Sequence, residues 1–276
     1  MPRFKLTLEY VGTRYSGWQI QKNARTVQGE LDRAVRAATR VRDFELYGAG
    51  RTDAGVHALA QVAHLDLQTS FPPETLRQRL NDELPGDINV LSMSGAPRRF
   101  HARHDAVARS YLYQIARRRT AFAKAFVWWV KDPLDVTLMR NVARLFTGLQ
   151  DFQAFTDDEP GDKSTKVLVD NVEIGEEGDL LLIRVAGSHF LWKMVRRLVG
   201  VTVEVGRRGL TLDQARGFLS GPSDTPARLA PQAGCRAGDP ARLTAPASGL
   251  FLERVFYEGE QRTLSLRAAI PVRVPS

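Results

Sequence analysis

The sequence predicts an α+β fold of two ferredoxin-like βαββαβ halves, with mainly antiparallel sheets side by side around a basic central cleft. Three observations predict it. Apolar residues recur at period two and at helical spacing in the order strand, helix, strand, strand, helix, strand, and that order comes round again from Ala106. The chain has 276 residues, 43% of them hydrophobic, enough for two modest cores. Its 39 Lys+Arg exceed its 31 Asp+Glu to give +8, which suits a polyanionic partner bound through phosphate contacts. The halves are expected over residues 1–105 and 106–276, the second carrying an inserted loop at about 220–248 and a short C-terminal tail.

In the first half, Phe4, Leu6, Leu8 and Tyr10 alternate with polar residues, marking a half-buried strand. The loop that follows interleaves Tyr15 and Trp18 with Arg14, Lys22 and Arg25. Such a mixture suits stacked bases and phosphates, or an ordinary loop anchored by one Trp. Thr26 is placed to cap a helix whose Val27, Leu31, Val35 and Ala38 share a face. Strands are expected over Phe44–Tyr47 and Leu59–Leu67. A helix opened by Pro72 and Pro73 carries Leu76, Leu80 and Leu84 and stops at Pro85-Gly86, and a strand returns from Ile88 to Met93.

In the second half, Val107–Ile115 reads as a strand and Val136–Phe146 as a helix. Val167–Ile174 and Leu180–Val185 read as strands joined at Gly175–Gly178. Helices follow over Phe190–Val205 and Leu212–Leu219, then a last strand at Leu250–Tyr257. The Pro/Gly/Ala-rich stretch Ser220–Ser248 is expected to be poorly ordered, and Ile270–Ser276 to fray.

Several function classes drop out. One cysteine, Cys235, cannot make an intrachain disulfide and suits a reducing compartment. No apolar run approaches the ~18 residues of a membrane span, so a soluble, cytoplasmic protein is expected. There is no G-x-S-x-G, P-loop, G-x-G-x-x-G after the first strand, or paired C-x-x-C, which removes serine-hydrolase, NTPase and zinc-finger readings.

The stretch richest in chemistry is Gly48-Ala-Gly-Arg-Thr-Asp-Ala-Gly-Val-His-Ala58, between two predicted strands. Its glycines permit positive φ and close approach. Asp53 stands there with Arg51 two residues away, an arrangement that favours the carboxylate form of a nucleophile. A tight hairpin with an Asx-turn is the plainer alternative. Elsewhere, His101 and His104 have i,i+3 spacing but no evident third ligand, so phosphate or structural hydrogen bonding is expected rather than a metal. Arg109, Tyr111 and Tyr113 share one strand face, as core tyrosines or as a stacking platform. Lys193, Arg196 and Arg197 are expected to lie off the buried stripe of their helix, with Lys193 and Arg196 one turn apart.

The segment Gly50–Ala58 resembles the signature of the tRNA pseudouridine synthase A family. Tyr15–Gln19, Leu84–Asp87, Phe100–Arg103, Arg109 with Tyr111, Met194–Arg196, Val199-Gly200 and Gly249–Leu252 resemble further family segments in the same order. The resemblance implies the pseudouridine synthase fold and isomerisation of uridine to pseudouridine at positions 38, 39 and 40 in the anticodon stem-loop of tRNA. It also implies a homodimer, no cofactor and no metal. It makes Asp53 the catalytic aspartate, Arg51 its motif neighbour, Tyr111 the side chain on the target base, and Arg196 the basic partner of the aspartate. Arg98, Arg99, Arg117, Arg118, Arg119 and Arg207 become candidates for phosphate contacts. The 220–248 insertion, the extension after Tyr257, Lys163–Lys166 and Trp192-Lys193 depart from the family pattern.

Two other classes predict different behaviour. A non-catalytic RNA-binding protein with RRM-like halves should show an RNP1-like run on a central strand, and none is present. A glycosidase or nucleosidase needs a second acid beside Asp53, which no motif supplies.

Overall fold

A computed structural model describes residues 1–158, 164–219 and 239–272. They form two compact units, one of Met1–Arg109 with Phe251–Thr263 and one of Ser110–Leu250 with the remaining C-terminal residues.

In the first unit the chain runs β1 (Arg3–Tyr10), α1 (Val27–Thr39), β2 (Phe44–Gly48), β3 (His57–Leu67), α2 (Pro73–Glu83) and β4 (Ile88–Ala96). The spatial order is β4-β1-β3, with β2 also on β3, and all three pairings are antiparallel. This is the ferredoxin-like arrangement that the element order predicts. Phe4, Leu6, Leu8 and Tyr10 are the buried side of β1, and its alternation survives because the opposite side is only half covered. β3 is buried on both sides along much of its length, as an inner strand must be. Thr26 caps α1 by accepting the Gly29 N–H at 3.2 Å, and Val27, Leu31, Ala34 and Val35 are buried. Leu76 and Leu80 bury one side of α2, which packs on α1.

The late strand β10 (Leu250–Tyr257), expected at the end of the second half, pairs in parallel with β3 at Phe251–His57 and Leu252–Ala58. Its residues from Phe251 on thus belong with the first unit. Pattern alone marks a strand and does not say which neighbour accepts its hydrogen bonds.

The second unit contains most of β5 (Ala106–Ala116), then β6 (Trp128–Trp129), α3 (Val136–Leu145), β7 (Gly148–Asp151), β8 (Lys166–Glu177), β9 (Leu180–Gly187), α4 (Met194–Gly206) and α5 (Leu212–Gly217). β5, β9, β8 and β7 are neighbours in that order, and β6 lies along β5 in parallel. The short β6 and β7 are not apparent from the sequence, since two to four residues show no period. Asp135 caps α3 by accepting the Leu138 N–H at 3.1 Å, and α5 opens with a reciprocal Thr211–Gln214 capping box. α3 packs against α4, where Gly206 faces Met139.

Three expectations change here. The stretch 220–248 is described only from Asp239, and that part is packed: Ala245 N–H donates to the Arg196 carbonyl at 3.1 Å. Residues 220–238, with Cys235, lie outside the described residues, as does Lys163. Ile270 does not fray, because the buried Gln114 carboxamide accepts the Ala269 and Ile270 N–H groups at 2.6 and 3.2 Å; residues 273–276 lie outside the described residues. Arg197 does not lie off the buried stripe of α4. That helix is enclosed nearly all round, and Arg197 is buried with its guanidinium paired to Asp157. A charge taken inside needs such a partner.

Candidate active site

The Gly48–Ala58 loop joins β2 to β3, and its own hydrogen bonds shape it. Ala49 N–H donates to the Val62 carbonyl at 2.7 Å, and Gln61 Nε2 donates to the Gly50 carbonyl at 3.1 Å, tying the outgoing limb to β3. Val56 N–H donates back to the Asp53 carbonyl at 3.1 Å, closing a turn in which Gly55 takes φ +79°. At Gly48 an added Cβ would meet the Trp18 ring at 2.6 Å, whereas Gly50 faces open space. The loop's glycines thus serve three purposes: contact with a core Trp, an open approach, and a turn.

The loop is also clamped by Tyr15–Trp18. Trp18 N–H donates to the Thr52 carbonyl at 3.0 Å and Gly55 N–H donates to the Tyr15 carbonyl at 3.3 Å. The Thr52 hydroxyl lies 2.8 Å from the Tyr10 hydroxyl, both buried. His57, stacked on Phe251, accepts the Gly12 N–H on Nδ1 at 3.1 Å. The residues on either side of Asp53 and Ala54 are therefore fixed to the core, and Asp53 itself is half-exposed at the crown. A carboxylate held on such a turn has its position set before any ligand arrives.

Arg51 is exposed, and its Nε donates to Gln19 Oε1 at 3.2 Å. It borders an open pocket of about 340 Å³ beside the loop, whose walls include Tyr47, Gln19, His101, Arg103 and His104. The Phe100–His104 motif thus meets the glycine loop. His101 Nδ1 accepts the Arg103 and His104 N–H groups at 3.1 and 3.2 Å, so one of its nitrogens shapes a backbone turn. No group of three His, Cys, Asp or Glu among the described residues is arranged to hold a metal ion. His64 stacks on Tyr47 and accepts the Ala102 N–H on Nδ1 at 3.1 Å. Burial, then the nearby Arg3 guanidinium and His101, lowers its pKa to about 4. Sequence reasoning missed Tyr47 and Gln19 as parts of this surface; the outward register of Tyr47 next to Gly48 was the available signal.

The other predicted site residues belong to the second unit. Tyr111 on β5 is half-exposed and meets the Phe190 ring edge-on at 5.2 Å. Tyr113, two residues on, is wholly buried and donates to the Pro246 carbonyl at 2.7 Å, so it is a core tyrosine. Arg196, in the first turn of α4, is half-exposed and donates through Nε to the Ala245 carbonyl at 2.7 Å. That bond restrains the stem of the side chain.

The candidate phosphate contacts divide. Arg117 pairs with Glu176 and Arg118 with Asp179, each at 2.5 Å, and Arg207 with Asp132 at 3.0 Å, so their charge is locally compensated. Arg119 lies over the Trp129 ring. Arg98 and Arg99 are exposed on the turn after β4. No helix among the described residues is long and apolar enough to cross a membrane.

Comparison with known proteins bears on this arrangement. A family model described as tRNA pseudouridine synthase matches residues 7–105 and 142–258. Arg51, Asp53 and Arg196 lie in the matched segments and Tyr111 in the stretch between. The chain is 40% identical over 262 residues to "tRNA pseudouridine synthase A" of Nitrobacter winogradskyi, covering 94% of this chain and 97% of that protein. It is 36% identical to "tRNA pseudouridine synthase A 2" of Clostridium tetani (92% and 98% covered). Identity to the protein named "tRNA pseudouridine synthase A" in Aquifex aeolicus is 35% (92% and 99% covered).

Proposed function

The chain belongs to the tRNA pseudouridine synthase family and is an isomerase of that class, and from this premise we propose that it converts uridine to pseudouridine at positions 38, 39 and 40 of the tRNA anticodon arm. The observation that carries the reading is Asp53, half-exposed on a turn whose flanking residues are bonded to the core, within a segment the family model matches.

The reaction breaks the bond from uracil N1 to ribose C1′ and forms one from C5 to C1′; the proton on C5 is lost and one is gained at N1. Electrons balance within the nucleotide, so no redox cofactor or energy source is needed. The target must leave its stack to be reached. Asp53 adds either to C1′, releasing the uracil, or to C6 of the ring; both routes form a covalent bond that is broken again after the base has turned. Arg196 is assigned to keep Asp53 ionised, Tyr111 to stack against the flipped base, and Arg51 to contact the substrate beside Asp53. The half-exposed positions of Tyr111 and Arg196 support these roles. The net charge of +8 supports a tRNA partner. A homodimer acting in the cytoplasm extends the same family likeness.

The test uses a tRNA transcript carrying tritium at uracil C5. Release of tritium by the parent protein and its loss in Asp53→Ala, with tRNA binding retained, is the expected result. Full release by Asp53→Ala would overturn the assignment, and transcripts with single uridines at 38, 39 or 40 report the positions.

A further inference from the structure

The pocket beside the catalytic loop does not include Asp53, and the isomerisation as described makes no use of it. Its lining contains no carboxylate. Two guanidinium groups, Arg51 and Arg103, stand at its wall; both are exposed, and neither forms an ion pair among the described residues. Gln19 holds Arg51 in place through its Nε, leaving the guanidinium's terminal nitrogens for a phosphate. The Tyr47 ring forms another wall. It is 47% exposed, yet backed by His64 at 5.2 Å and 25° between planes and flanked by His101 at 5.9 Å. An aromatic ring stiffened from behind and open in front is a stacking platform for a base. At about 340 Å³ the pocket is of ligand size.

We propose that this pocket is a subsite for one nucleotide of the RNA chain next to the nucleotide that reacts, its phosphate between Arg51 and Arg103 and its base against Tyr47. The inference rests on the reading of tRNA as substrate. Arg51 links the two places, since it lies two residues before Asp53. Stacking on Tyr47 is indifferent to which base arrives, so the subsite adds affinity and register without restricting the sequence around the target.

Filter binding of an unmodified tRNA transcript to the full-length protein tests this, with KM and kcat from tritium release read alongside. Tyr47→Ala is expected to weaken binding about tenfold and to raise KM correspondingly, and Tyr47→Phe to bind as the parent does. Arg103→Gln is expected to weaken binding and to lower the slope of log K against log[salt] by about one. Arg103 is exposed, whereas Tyr47→Ala also removes the ring stacked on buried His64, so thermal melts check that both variants stay folded and Tyr47→Phe keeps that contact. Parent-like binding by Tyr47→Ala and Arg103→Gln overturns the subsite, as does a loss confined to kcat. Binding requires no turnover: a parent protein that holds tRNA in a Tyr47-dependent way without releasing tritium supports the subsite and sinks the isomerase reading instead.

Discussion

The hydroxyls of Tyr10 on β1 and Thr52 in the glycine loop lie 2.8 Å apart in the interior of the first unit. This bond joins a core strand to the residue preceding Asp53, so packing sets where the carboxylate points. Removing one partner takes a buried hydrogen bond from the other. Thr52→Val and Tyr10→Phe should each cost about 1–2 kcal/mol in denaturant unfolding. In tritium release kcat should fall while KM holds. The double variant should lose less than the sum of the two, because they remove the same bond.

Gly200 on α4 faces the segment after residue 238 at close range. A Cβ there would meet the Leu243 carbonyl oxygen at 1.5 Å, and the Arg196–Ala245 bonds lie one turn away. The neighbour is backbone and cannot rotate aside. Gly200→Ala should therefore destabilise by more than about 2 kcal/mol despite its better helix propensity. Activity should fall with it, because the Ala245 carbonyl that anchors Arg196 moves. Gly217→Ala, at the end of α5 with nothing near it, is the control and should melt within a degree or two of the parent.

His64 sets a pH dependence of stability. Its pKa is lowered from 6.5 to about 4 in the folded protein, first by burial and then by Arg3 and His101. Between those values the unfolded chain binds a proton that the folded one does not, so stability decreases as pH falls through that window and levels off below it. The full effect is about 3 kcal/mol. Urea unfolding between pH 7 and 4 measures it. His64→Asn, whose side-chain oxygen can accept the Ala102 N–H without titrating, should make the curve shallower across that range, leaving the contribution of His101, whose pKa is also lowered by burial and by His104.

Affinity for tRNA should fall linearly with log[salt], at a slope of several units, if many phosphates are contacted. Arg98→Gln and Arg99→Gln should each reduce that slope by about one. Arg118→Gln, whose parent guanidinium already pairs with Asp179, should change it less. Filter binding from low to moderate salt gives the comparison, and equal slopes for all three would assign the excess charge another task.

The first unit was legible because its elements are long and strictly periodic. The alternation from Phe4 to Tyr10, the Thr26 cap and the Pro72-Pro73 start are local signals, and they settled β1, α1 and α2 almost to the residue. The glycine-loop aspartate was legible for the same reason, since a turn between two strands is written in neighbouring residues. Family membership was legible from collinear short motifs, which are sequence properties. Local pattern failed where an element has no period or where the partner is distant. β6 and β7 are too short to repeat. Arg197 reads as a surface cation until Asp157, 40 residues away, is seen to neutralise it.

The sequence alone determined the order of the longer strands and helices and the turn that bears Asp53, because each depends on residues within a few positions of one another. Tertiary structure decided which side of β3 receives β10, that Tyr113 is core while Tyr111 stays half-exposed, and that Tyr47, Arg51 and Arg103 share one surface with His64 buried behind Tyr47. These depend on contacts between residues far apart in the chain, and such contacts are chosen by burial and shape across the whole unit.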